Sequence, residues 1–471
     1  MVILKGGNEM YRKNAWEQYS GEERALLGAF ADDYRAFLDA AKTEREAAAS
    51  AEELCRSAGF RNLDALIESG EPLGPGDRVY RKWMNKSFMA FVIGEQSIEK
   101  GMNILGAHID SPRLDVKQNP LFEDEKLAYL DTHYYGGIKK YQWLALPLAL
   151  HGVIVKKDGD VVPVAIGEHE DDPVLCITDL LPHLAQEQMN KTASKFIDGE
   201  ALNILIGSAP RADEEKDAVK AAVLAVLERD YGVEEEDFVS AELEAVPAGR
   251  ARDCGLDRSM ILGYGHDDRV CAYAEIAAML TLPQVPEYTC CCLLADKEEI
   301  GSVGATGMRA QYFENAVAEL LALTGKEGDL PLRRALAASR MLSCDVSAGY
   351  DPLYAAAFER KNAAFLGRGV CYNKFTGSRG KSGSNDANAE YLGRLRKIMD
   401  DHDISWQTAE LGRVDLGGGG TIAYICALYG MEVVDSGVPV LSMHAPAEVI
   451  SKADLYEAIR AYAAFLTDMG K

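Results

Sequence analysis

No stretch of the 471 residues is long and apolar enough to span a membrane. The opening segment "MVILKGGNEMYRKNAWEQYS" breaks its apolar run after four residues, with neither a signal-peptide core nor a small-residue cleavage site behind it. Cysteine is present but has no repeated spacing: ten residues, three of them consecutive at Cys290 to Cys292, which suits buried thiols in a reducing compartment better than a disulfide framework. Positive charge is in short supply, 50 Lys and Arg against 74 Asp and Glu, for a formal charge of −24. Such a surface repels phosphate backbones and anionic lipids, so neither nucleic acid nor a membrane is an expected partner. A cytoplasmic location is predicted.

Familiar motifs are missing as well. "FTGSRGKS" has Phe375 where a phosphate-binding loop needs its first glycine, "GYGHDD" lacks the third glycine of a dinucleotide fingerprint, and "EHEDDP" is not HExxH. No G-x-S-x-G elbow occurs, which weakens a serine hydrolase reading. There is no internal repeat and no low-complexity linker.

What is present is a hydrophobic content of 48%, enough for a well-filled core, in a chain long enough for two or three domains. From about Gly21 to Ser69, Ala, Glu and Leu recur at helical spacing. "FMAFVIG" and "NILGAHID" then read as neighbouring strands. Between about Asp115 and Ala251 short alternating runs such as "HGVIVKKDGDVVPVAIG" are followed by the charged amphipathic segment "DEEKDAVKAAVLAVLERDYG", with no strand-helix rhythm. This predicts an inserted, β-rich domain. From Arg252 onward strands and helices alternate, as in an α/β domain with a mostly parallel central sheet flanked by helices. The last helix has a predicted cap at Ser451, with Asp454 three residues on, and ends at Gly470.

Several apolar runs stop at a residue able to bind a metal: His108 after "NILGA", Asp267 after "ILGYGH", Glu298 and Glu299 after "CLLADK", Asp345 after "MLSC", and His444 after "VPVLSM". Ligands gather at the carboxyl ends of strands in open α/β sheets, so these ends could converge on one site. Zinc accepts imidazole nitrogen and carboxylate oxygen, and a two-metal hydrolytic site holds its ions roughly 3.5–4 Å apart. The carboxylates of Asp267, Glu299 and Asp345 would partly balance two dications, leaving Glu298 free as a general base. In extended chain the adjacent glutamates point to opposite sides, one towards metal and one towards the attacking water. Asp110, two residues from His108, would accept the imidazole's other N–H.

Singly these residues mean little, since a histidine at a strand end is usually hydrogen-bonded at the surface and a Glu-Glu pair is usually a solvated turn. His133, His151, His169, His266 and His402 have no comparable context and are read as structural. In "DLGGGGTIAYICALYG" the glycine run, with Gly419 and Gly420, opens a helix and could offer backbone N–H groups to a substrate carbonyl, or be a flexible turn.

The segments "GAHIDSPRLDVK", "LPHLAQ", "GHDDRVCAYA", "DKEEIGSVGATG", "SCDVSAGYDP" and "GGGGTIAYICALYGMEVVDSGVPVLSMHAPAE" follow the order of one family over nearly the whole chain. The sequence resembles the aspartyl aminopeptidases, dinuclear zinc exopeptidases that include vacuolar aminopeptidase I. The resemblance implies Asp267 as the bridging carboxylate, His108 and Asp345 as the remaining ligands of one zinc, Glu299 and His444 as those of the other, Glu298 as general base and Asp110 as the carboxylate that orients the histidine. It implies two zinc ions per subunit, with manganese or cobalt able to substitute. His183 would reach a neighbouring subunit's active site and help stabilise the tetrahedral intermediate.

The implied architecture is a proteolytic α/β domain, residues 1–114 and 252–471, interrupted by a dimerisation domain at 115–251, with dimers assembling into a dodecamer. The run "HDDRV", with Asp268 and Arg269, is closer to the related glutamyl and deblocking aminopeptidases. An acidic substrate residue would need a cationic partner, for which Lys374 and Lys381 are candidates; their bland reading is an ordinary solvated loop. The expected function is release of N-terminal residues from short peptides. The alternatives are another dinuclear zinc hydrolase on the same scaffold, a carboxypeptidase or deacylase, and a catalytically silent assembly protein.

Overall fold

The computed structural model describes residues 13–283 and 285–470. A nine-stranded sheet runs in the order Arg61–Asn62, Arg78–Trp83, Ser87–Val92, Thr289–Ala295, Met102–His108, Arg340–Cys344, Glu432–Gly437, Val370–Asn373, Trp406–Thr408. Its central four strands, from Thr289–Ala295 to Glu432–Gly437, are mutually parallel, but the sheet as a whole is mixed rather than mostly parallel. Antiparallel pairs flank the parallel four on both sides. On one side the reason is local: the turn Met84–Lys86 between Arg78–Trp83 and Ser87–Val92 is too short for a crossover, so those strands must be antiparallel. The two strands expected to be neighbours are not. Thr289–Ala295 lies between Ser87–Val92 and Met102–His108, a pairing across nearly two hundred residues that no local pattern signals.

Helices cover both faces. Gly21–Ala40, Glu44–Ser57, His266–Leu280 and Lys452–Asp468 pack on one side, Tyr312–Leu323 and Asp329–Ala337 on the other. The cysteine triplet shows the two-residue period of a strand buried on both faces: Cys290 and Cys292 sit in one core and Cys291 in the other. All ten cysteines are free thiols. Gly21–Ala40 starts with a reciprocal cap between Ser20 and Glu23, and Glu44–Ser57 with one between Thr43 and Glu46. Ser451 caps the last helix through the Ala453 N–H, while Asp454 instead accepts the Gly367 and Gly369 N–H groups, both at 2.7 Å.

The stretch from Arg113 to Pro247 forms a separate six-stranded, wholly antiparallel sheet with its own apolar core. A third sheet of five short strands, Arg252–Cys254, Met260–Gly263, Glu448–Ser451, Pro439–Leu441 and Ser347–Ala348, was not anticipated by the strand-helix rhythm.

Buried charges join the six-stranded sheet to the helical layer. Arg113 lies 3.4 Å from Glu44 and 3.0 Å from Glu244. His151 is held between Glu46 at 2.8 Å and Glu168 at 3.1 Å. Burial works against the imidazolium, but the two carboxylates outweigh it and push His151 up to about 9. A raised histidine stabilises the fold fully below its unfolded pKa of roughly 6.5, and that contribution is lost as pH climbs through about 9. His151→Ala is therefore expected to lower the urea midpoint at pH 6, by up to about 3 kcal/mol of stability, and to differ little from the parent at pH 10. A gap independent of pH between 6 and 10 would contradict this.

Candidate metal centre

Three of the strand ends meet because their strands are parallel neighbours. His108 ends Met102–His108, Asp345 follows Arg340–Cys344, and Glu298 and Glu299 follow Thr289–Ala295, so all open on one edge of the central sheet. Asp267 and His444 come from the third sheet, after Met260–Gly263 and Pro439–Leu441. The convergence thus joins two sheets rather than one. Asp267 lies at the entry to His266–Leu280, where it and Asp268 depart from helical conformation, just after Gly265 at φ +77. A Cβ on Gly265 would fall 1.9 Å from the Arg269 guanidinium, so glycine alone fits this entry.

The glutamates are not in extended chain. Lys297 is left-handed at φ +67 and Glu298–Ile300 form a single tight 3-10 turn, in which successive side chains diverge by about a third of a turn. Both carboxylates consequently reach the same cleft of about 410 Å3, together with His108, Asp267, Asp345 and His444. Asp110 also differs in detail from expectation. The shorter contact of His108 Nδ1, 3.0 Å, is to the Asp110 backbone carbonyl, with the carboxylate at 3.4 Å. That carboxylate accepts the backbone N–H groups of Glu298 at 3.1 Å and Glu299 at 3.2 Å and the Tyr135 hydroxyl at 2.8 Å. It holds the turn carrying the glutamate pair.

The donor atoms divide into two sets around Asp267. Oδ1 is 3.1 Å from His108 Nε2, which is 3.8 Å from Asp345. Oδ2 is 3.2 Å from His444 Nε2, which is 3.5 Å from Glu299. Ligands on a tetrahedral ion with bonds of roughly 2.0–2.2 Å stand about 3.3 Å apart, and the histidine–carboxylate contacts here, from 3.1 to 3.8 Å, bracket that spacing. Asp267 Oδ1 and Glu299 Oε1 are buried without a hydrogen bond among the described residues. His108 comes within reach of a shared ion both with Glu298 and Asp345 and with Asp267 and Glu299, so the two sets overlap at His108.

The electrostatics point the same way. Burial pushes the carboxyls of Glu299 and Asp345 well above the usual range and that of Glu298 up to about 7. Burial opposes the charged form of His444, yet Asp267 and Glu299 push it up to about 10. Asp267 goes down despite its burial, through His108 and His444. Four carboxylates gathered with two imidazoles lack positive charge, and two dications would supply it. The residues present fit two zinc ions.

Other predicted residues fall elsewhere. Gly419 and Gly420 line the cleft, ahead of the short helix Ala423–Ala427. His183 is exposed in the Leu181–Ala185 stretch and is not among the residues lining the cleft. Lys374 and Lys381 are exposed and face Asp386, at 4.0 and 2.9 Å, and neither lines the cleft. Two contributors were given no role by the sequence. Glu448 accepts the backbone N–H groups of Asp267 and His444, and the Gly137 carbonyl accepts from His444 Nδ1 at 3.0 Å. Glu448 closes the family-matching run that ends "SMHAPAE", four residues after a ligand histidine, and opens the apolar strand Glu448–Ser451, but sequence reasoning gave it no role.

The sequence model described as aminopeptidase I zinc metalloprotease (M18) matches residues 37–466. A probable M18 family aminopeptidase 1 from Clostridium acetobutylicum is 55% identical over 457 residues, covering 97% of this chain and 98% of the relative. Among solved structures, an M18 family aminopeptidase from Thermotoga maritima has a TM-score of 0.92 at 43% identity, covering 97% of this chain and 99% of its own. A yeast structure described as a dodecamer shares the fold at a TM-score of 0.76 and 19% identity, over 96% of this chain and 98% of its own.

Proposed function

The chain belongs to the M18 family of zinc aminopeptidases, and from that premise we propose that it releases N-terminal residues from short peptides at a two-zinc centre with Glu298 as general base. The observation that carries this reading is the division of ligands: each oxygen of Asp267 faces a different histidine, and each histidine has a second carboxylate beside it. His108 and Asp345 would hold one zinc, Glu299 and His444 the other, with Asp267 shared. Bound there, the two ions would polarise the scissile carbonyl and acidify the attacking water.

The chain's own residues do the rest. Asp110 fixes the turn that aims Glu298 into the cleft. Glu298 takes the proton of the attacking water and passes it to the leaving amine nitrogen. Gly419 and Gly420 border the cleft with no side chain, leaving room for the peptide backbone. A preference for acidic N-terminal residues would need a cation beside the cleft: its own walls carry none among the described residues, but Arg379, Lys381 and Arg413 line the pocket that adjoins it through Thr376, Leu411 and Gly418. Homo-oligomerisation through the 115–251 unit, up to a dodecamer, belongs to the same proposal; it would bring the exposed His183 to a neighbour's cleft, and light scattering that finds a monomer retires it. The acidic surface and ten free thiols suit the cytoplasm.

The test is residue release from a mixed library of free and N-acetylated short peptides, read by mass spectrometry, with metal-stripped and zinc-restored protein. Zinc-dependent loss of single residues from free N-termini only is expected. Cleavage of acetylated peptides would move the activity to a deacylase or carboxypeptidase on this scaffold, and no cleavage at all to a silent assembly protein.

A further inference from the structure

The two halves of the metal centre are not held equally. His108 ends a strand hydrogen-bonded on both sides, and its side chain is 2% exposed. His444 sits in a left-handed conformation at φ +65, two residues after Ser442 at φ +59, with 36% of its side chain exposed. An L residue rarely adopts that backbone unless its surroundings impose it. The imidazole is oriented by Gly137, whose approach is so close that an added Cβ would lie 3.3 Å from Nδ1. The backbone has a different support. Glu448 is 1% exposed, and its two oxygens are divided between two ligand residues: one accepts the His444 N–H at 2.8 Å and the other the Asp267 N–H at 3.0 Å. No cation is paired with this carboxylate among the described residues.

We propose that Glu448 is a positioning residue that sets the affinity of the metal position formed by Asp267, Glu299 and His444. The inference rests on reading those three as ligands. It touches neither substrate nor metal; it ties the His444 loop to the start of His266–Leu280, so that His444 Nε2 and Asp267 Oδ2 stay 3.2 Å apart. Asp267, shared by both halves, has a second anchor, and His108, which is assigned to the other half alone, has its own. Ser111 Oγ donates to the Asp267 carbonyl at 2.6 Å, and Asp110 holds His108. Loss of Glu448 should therefore loosen one position and spare the other.

In Glu448→Gln one oxygen remains, but the new NH2 group confronts a backbone N–H, donor against donor. Zinc would be titrated into metal-stripped protein against a chromogenic chelator, with circular dichroism confirming the fold. The parent is expected to take two equivalents. E448Q should take one with unchanged affinity and a second roughly 10–100-fold more weakly, the usual effect of losing a group that orients a ligand. His444→Ala should take one, and adding E448Q to it should change nothing further. Two unchanged equivalents in folded E448Q, or equal weakening of both, overturns the proposal. Should E448Q not fold, Glu448→Asp replaces it: it keeps the charge and shortens the reach, so weakening confined to one equivalent supports the role and unchanged binding overturns it. If His444→Ala itself retains both equivalents, the ligand reading fails, an outcome distinct from failure of Glu448 alone and independent of any peptide being cut.

Discussion

Replacing Glu298 by Gln is expected to lower kcat by about 10²–10⁴-fold, the usual contribution of a general acid-base group, with both zinc ions retained. The substitution preserves shape and leaves the backbone N–H of residue 298 free to donate to Asp110, so the turn should survive. It removes the one carboxylate of the cluster that the division of ligands around Asp267 leaves over. Steady-state hydrolysis of a free dipeptide, with zinc counted by mass spectrometry on the same samples, separates the outcomes. A kcat within tenfold of the parent would remove Glu298 as the base. Loss of one zinc would instead make it a ligand beside His108 and Asp345, an arrangement their spacing also permits.

Asp267→Asn is expected to reduce bound zinc from two equivalents to at most one and to bring peptide release to background. An amide has one oxygen, so the atom now beside His444 or His108 becomes a donor that cannot ligate a cation. The change also removes one of the three negative charges counted against the two dications. The backbone anchors of this residue, Ser111 on its carbonyl and Glu448 on its N–H, do not involve the side chain and should keep the fold. Two tightly held equivalents in the folded variant would end the bridging assignment.

Asp267 and Glu298 were both visible as strand-end residues, because an apolar run that stops at a metal-binding side chain is a local pattern. How they are presented was not visible. Glu298 and Glu299 share the cleft because Lys297 turns left-handed, whereas the extended-chain rule would have sent them to opposite sides. Lys374 and Lys381 offer the charge that an acidic substrate residue would need, yet both face Asp386, a contact that depends on how one loop folds back on itself.

By itself the sequence determined which side chains could form the centre, the solvent-averse character of the strands that carry them, and the family, since each of these is written in residue type, local period or motif order. Tertiary structure alone decided that Thr289–Ala295 would insert between Ser87–Val92 and Met102–His108, that the central sheet would be mixed, that Asp267 and His444 would arrive from a third sheet, and that Glu448 would bind both their backbones. Those outcomes come from pairings between residues far from each other in the chain, where backbone hydrogen bonds and burial choose the partner and no local spacing records the choice.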